Sequence, residues 1–222
     1  MVRFSALKLC ITLFFASLLI SNWLWASYGQ GFSEKVLSQI ELRFGLAARK
    51  RIDTWQRLIK ENKDKPEDYK LYMVNSFFNQ MRFESDQKKW DKTDYWATPI
   101  EFLASGGGDC EDFSIAKYFT LAALGIEQEK MRITYVKALD IDQAHMVLTF
   151  YNSIDEVPLV LDNINKRIVP ANKRTDLEPM YSFNTASLWE AKELGRGERL
   201  GSSKGLPRWD EVNERMRKEL EK

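Results

Sequence analysis

The segment GGGDCEDF, residues 106–113, sets Cys110 between Asp109 and the pair Glu111 and Asp112. A thiol attacks as its thiolate, and neighbouring carboxylates oppose that charge, so these surroundings run against the chemistry a cysteine offers. Of the chain's 2 cysteines the other, Cys10, lies in an apolar N-terminal run, and there is 1 histidine, His145. If cysteine–histidine chemistry is used, the pair is Cys110 as nucleophile and His145 as general base. Asp162, closing the run LVLD, is placed to orient the imidazole. Each residue has an ordinary use when taken alone: a small buried hydrophobe, a hydrogen-bonded strand residue, a turn aspartate. Their order of helix start, strand and next strand makes one active site the better account.

The elements around them set these positions. Thr98-Pro99-Ile100-Glu101 offers a capping threonine, a proline at the first helical position and a glutamate at the third. A short helix starts there and stops at Ser105 to Gly108. The next helix opens at Asp109, expected as its N-cap, and runs along Phe113, Ala116, Phe119, Ala123 and Leu124 to Gly125. Cys110 then sits in a first turn, where unpaired N–H groups and the helix dipole favour an anion and its own N–H can act as an oxyanion donor.

Upstream, Ser33 to about Lys60 has the periodicity of one or two amphipathic helices. Pro66 opens another, with Tyr69, Tyr72, Met73, Phe77 and Met81 on one face. Phe83 to Tyr95 reads as a loop. Downstream, residues 131–138 (MRITYVKA), 146–151 (MVLTFY) and 159–161 read as antiparallel strands, with 167–170 and 181–183 as further ones. A glycine- and charge-rich loop is expected over 195–205. After Pro207 comes a charged helix with the stripe Trp209, Val212, Met216 and Leu220, which packs back on the domain or serves as a docking surface. Helices first, then the cysteine helix, then a sheet bearing the histidine, is the order of an α+β fold.

Residues 1–29 read as a signal peptide or N-terminal membrane anchor, because Arg3 and Lys8 precede an uncharged apolar run that ends near Ala26. The rest, residues 30–222, fits one domain, below the roughly 250 residues at which single cores split. An exported location follows. The net charge of +1 and the lack of a basic run exclude nucleic acid and anionic membrane surfaces as expected partners.

The segment DYWATPIEFLASGGGDCEDFSIAKYFTL, residues 94–121, with His145 and Asp162 at their spacings, resembles the bacterial transglutaminase-like cysteine proteinases, the LapG-type periplasmic proteases. The likeness extends from VNSFFNQ, residues 74–80, through the strand ending at Asp162. It implies a papain/transglutaminase-like fold and a Cys110–His145–Asp162 triad. It also implies cleavage of the N-terminal region of a large surface adhesin beside a pair of alanines, releasing the adhesin and dispersing biofilm. The implied partner is an inner-membrane receptor of the LapD type, which binds cyclic di-GMP in the cytoplasm and sequesters the protease on the periplasmic side. The implied cofactor is calcium, held by the acids flanking the cysteine, here Asp109 and Glu111, with Asp112 beside them. A hard divalent cation on those oxygens would neutralise the field that opposes the thiolate.

Two other uses of the same residues stay open at this level. Thioester chemistry could serve acyl transfer to an amine or cutting of cell-wall peptides, and an idle domain could serve as a non-catalytic periplasmic binding module. For the second oxyanion donor the residues considered are Trp96, Tyr95, Asn75 and Gln80.

Overall fold

The computed structural model describes residues 31–153, 155–190 and 197–220, with the side chain of Leu220 excepted. The expected signal or anchor lies outside the described residues. Among those described, no helix is long and apolar enough to cross a membrane.

Helices α1 (Glu34–Phe44) and α2 (Leu46–Asn62) break at Gly45, and α3 (Glu67–Phe78) follows. The inner face of α3 is Lys70, Leu71, Val74, Asn75 and Phe78; of the residues expected to share one face, Phe77 and Met81 pack against the core while Tyr69 and Tyr72 are exposed. Polar contacts hold this face in place. The Asn75 side-chain amide donates to the Lys166 carbonyl at 2.8 Å, and Asn79, just past the helix, donates to the Asp162 carbonyl at 2.9 Å.

The expected loop from Phe83 to Tyr95 is partly ordered into β1 (Arg82–Phe83) and α4 (Asp86–Trp90). Elements this short carry no periodicity to read. Helix α5 (Pro99–Ser105) has the expected capping box: the Thr98 hydroxyl accepts from the Glu101 N–H at 3.1 Å, and the Glu101 carboxylate accepts from the Thr98 N–H at 2.9 Å. Then come β2 (Gly107–Gly108), parallel to β1, and α6 (Cys110–Ala123), buried at every residue from Asp112 to Ala123.

The sheet holds β3 (Met131–Ala138), β4 (Gln143–Phe150), β5 (Leu159–Leu161), β6 (Val169–Pro170), β7 (Leu177–Phe183), β8 (Leu188–Glu190) and β9 (Arg199–Gly201). Its order is β6-β5-β4-β3-β7-β8-β9, with every neighbour antiparallel. Strand β9 falls inside the stretch expected as a loop, because its backbone pairs with β8 despite a sequence poor in β-formers.

Alternation divides the sheet's residues. Met131, Ile133, Leu148, Phe150 and Leu161 join the main core with α6, while Val136, Val147 and Val160 form a small cluster of their own. The C-terminal helix α7 (Pro207–Leu220) closes that core: Trp209 stacks on Phe119 at 5.3 Å with 3° between the rings. Trp209, Val212 and Met216 are buried, so this part of the stripe is packing; the Leu220 side chain lies outside those described. Helices and an antiparallel sheet segregated along the chain give the α+β class expected.

Candidate active site

The three glycines prepare the cysteine. Gly106 ends α5 in a left-handed conformation. At Gly107, φ is 152° and a Cβ would lie 2.0 Å from the Arg82 carbonyl oxygen, so only glycine lets β2 pair with β1 here. At Gly108 a Cβ would meet the Asp112 carboxylate at 2.0 Å. That carboxylate is buried beneath the loop, where it accepts from the Ala97 N–H at 2.6 Å.

Cys110 is the first residue of α6, half-buried, with Sγ 3.0 Å from Glu111 Oε2. The Ser114 hydroxyl lies 3.0 Å from the Cys110 carbonyl and 3.1 Å from that of Met146, which ties the helix start to β4. Burial pushes the thiol well above its ordinary range. The Glu111 and Asp109 charges add to that, against a hydrogen bond from the Met146 amide. The conflict visible in the sequence is therefore real in three dimensions.

His145, two residues into β4, lines one cleft of about 550 Å³ together with Cys110 and Glu111. Its Nε2 is 2.8 Å from Asp162 Oδ1, and both side chains are buried. Burial alone would raise the Asp162 carboxyl. Hydrogen bonds from His145, the Ile164 N–H and Arg174 reverse that and hold it below the usual carboxylate range. Tyr135 and Tyr181, paired across β3 and β7, stack at 5.0 Å and form an aromatic wall of the cleft. Of the residues considered as second oxyanion donors only Trp96 lines this cleft. Asn75 is bonded to Lys166, Gln80 to the Ser76 carbonyl, and the Tyr95 hydroxyl to Glu101.

The acids beside the cysteine divide. Asp109 sits at the N-cap position, but its side chain makes no capping hydrogen bond, contrary to expectation. It gathers instead with Glu111 and with Asp86 from α4, their ligand atoms all within 4.8 Å of one another. Asp112 stands on the Ala97 amide and is outside that group. Asp86 Oδ1 and Asp109 Oδ1 are buried with no hydrogen-bond partner in the protein. Burial and the neighbouring carboxylates push the Asp109 carboxyl up to about 10, and burial pushes Asp86 up to about 6. Oxygen-only donors with orphaned buried atoms and uncompensated charge fit a hard divalent cation.

Residues 51–189 match the family described as the bacterial transglutaminase-like cysteine proteinases. The chain belongs to this family. LapG of Legionella pneumophila is 44% identical over 84% of this chain and 98% of that one, with a TM-score of 0.72. Its EGTA-treated form gives 45% identity, the same coverages and a TM-score of 0.74. The calcium-bound form gives 44% identity over 83% of this chain and 99% of that one, at 0.71. Among curated proteins none matches.

For this transglutaminase-like cysteine protease, three groups at the site escaped the sequence. Asp86 sits in the stretch taken for a loop, where the Tyr95 N–H also donates to it. Arg174 lies 2.8 Å from Asp162 Oδ2, and Lys117 Nζ 3.0 Å from the Asp162 carbonyl. Lys117 had a visible signal, a lone cation on the apolar face of α6. Arg174 had none, since an arginine between short strands is ordinary surface composition.

Proposed function

We propose that the chain is a calcium-dependent periplasmic endopeptidase that cuts the N-terminal region of a large surface adhesin beside a pair of alanines. Release of the adhesin would disperse biofilm, and a LapD-type receptor that senses cyclic di-GMP would hold the protease in check. The observation that carries the protease chemistry is that Cys110 and His145 share one cleft while His145 is bonded to a buried Asp162. In this mechanism Cys110 Sγ attacks the scissile carbonyl and His145 takes the thiol proton. The Cys110 N–H, at the helix start, faces the developing oxyanion. His145 then returns the proton to the leaving amine, and water hydrolyses the thioester with His145 as base. Asp162 keeps Nε2–H on its own side, so Nδ1 carries the free lone pair.

Asp86, Asp109 and Glu111, whose ligand atoms gather within 4.8 Å, would hold the calcium; that the Legionella pneumophila relative has a calcium-bound form supports calcium as the ion. Bound there, the ion would supply positive charge against the field that disfavours the thiolate. Location and receptor control rest on the apolar N-terminal run and the family resemblance. The decisive experiment incubates the full chain, with calcium, with an N-terminal adhesin fragment containing Ala-Ala. The wild type cuts it, while C110A, H145A and a chelator abolish cutting. Retained cleavage by C110A would overturn the assignment, and amine incorporation without hydrolysis would make the protein a transferase.

A further inference from the structure

The geometry points to Arg174 as a positioning residue that fixes the Asp162 carboxylate for His145, a role that rests on the Cys110–His145–Asp162 assignment above. Arg174 follows the short 3-10 turn Ala171–Lys173 that leaves β6, and its side chain is 3% exposed. Asp176 clips the guanidinium from the same loop, taking Nε at 2.9 Å and Nη2 at 2.7 Å. The planar fork is thereby oriented, and Nη2 also reaches Asp162 Oδ2 at 2.8 Å.

Asp162 depends on that contact for its orientation. Oδ1 accepts from His145 Nε2 and, at 3.0 Å, from the Ile164 N–H, whereas Oδ2 has Arg174 and only a 3.4 Å contact with the Asn165 N–H. Without Arg174 one oxygen is nearly unheld, and rotation of the carboxylate swings the other off the imidazole. Charge matters as well. The Asp162 side chain is 0% exposed, and a buried carboxylate without a cation restores balance by taking a proton. Arg174 supplies the permanent cation, so Asp162 stays an anion beside the imidazole that takes the thiol proton. Lysine would supply charge but cannot hold Asp162 and Asp176 with one flat fork.

The test uses the full chain with excess calcium and follows iodoacetamide alkylation of Cys110, read by mass spectrometry of its peptide. Folding of each variant is checked by circular dichroism. R174Q slows alkylation by about 10- to 100-fold, part of the 10²–10⁴ that a positioned acid–base group contributes. R174K restores part of the rate, and D176N, which frees the fork without removing it, loses less than R174Q. On an Ala-Ala peptide substrate the R174Q loss falls on kcat with KM unchanged. Should R174Q not fold, R174K and D176N carry the test. A folded R174Q labelled as fast as wild type, or R174K and D176N both indistinguishable from it, overturns the role of Arg174. Wild type that does not label at Cys110 at neutral pH overturns the triad itself, which separates the two failures.

Discussion

His145 Nε2 and Asp162 Oδ1 are 2.8 Å apart, between two buried side chains. The other contacts of Asp162 come from backbone N–H groups and a guanidinium, all donors, so it must accept from the imidazole. That fixes the proton on Nε2.

Asp162→Asn reverses this arrangement with little change of shape. An amide NH2 facing Nε2 forces the imidazole to carry its proton on Nδ1, where it cannot take one from Cys110. In the serine-protease triad the equivalent change lowers kcat on the order of 10⁴. A loss of that order in cleavage, with KM within a few-fold, is expected here. Near-normal turnover by a folded D162N would show that Asp162 does not orient the base.

The C-terminal helix is tested through Trp209. Its indole is 1% exposed and contacts the rings of Phe119, Tyr118 and Phe183. Truncation of a buried aromatic leaves a cavity and costs about 3–5 kcal/mol. Urea unfolding of Trp209→Ala should show that loss. A change under about 1 kcal/mol would mean the helix is a detachable appendage, since exposed positions shift stability by about half that.

Much of this architecture was legible because several local signals agreed. The Thr98–Glu101 box, the glycines and the apolar face of α6 each named the same helix boundaries, and β3 to β5 emerged from β-branched composition. Where the sequence misled, a functional polar group had displaced the ordinary pattern. On α3 the buried face carries Lys70 and Asn75, and of the aromatic positions Tyr69 and Tyr72 turn to solvent while Phe77 packs inward. Asp109 has the residue type of a cap but does not cap, since its carboxylate turns to Asp86 and Glu111. Asp86 and Arg174 were hidden for another reason: they reach the site across the fold, and proximity of that kind has no local spacing.

Lys117 gives a pH-dependent signature. It is fully buried on α6, donates to the Asp162 carbonyl, and burial lowers its pKa to about 7 despite the Asp162 charge. In the unfolded chain a lysine titrates near 10.4. Between about pH 7 and 10 the unfolded state therefore holds a proton that the folded state lacks, and stability rises with pH, by at most about 1.4 kcal/mol per unit. Below pH 7 both states are protonated and the burial penalty stands in full. Lys117→Met removes this slope and leaves Asn79 on the carbonyl. Urea midpoints at pH 7, 8 and 9 should rise more steeply for wild type than for K117M, and parallel series would refute the shift.

Asp86 tests which acids would hold the proposed calcium. Asp86, Asp109 and Glu111 share one cluster; Asp86 and Asp109 each bring a buried oxygen without a partner, and the partnerless Asp112 Oδ2 lies outside the cluster. A cation bound only by the folded state stabilises it by about 2.7 kcal/mol at a hundred times its Kd. At about 2–4 °C per kcal/mol for a domain of this size, that is a rise in Tm of roughly 5–11 °C. Asp86→Asn keeps an oxygen for the Tyr95 N–H while removing one charge from the cluster. In EGTA it should melt no lower than wild type, because the mutation relieves repulsion among buried carboxylates. With calcium its rise in Tm should be smaller, and its cleavage should need more calcium. Asp112→Asn keeps an acceptor for the Ala97 N–H and should retain most of the calcium response. If D112N loses the response while D86N keeps it, the ligands lie along the cysteine helix and not across to α4.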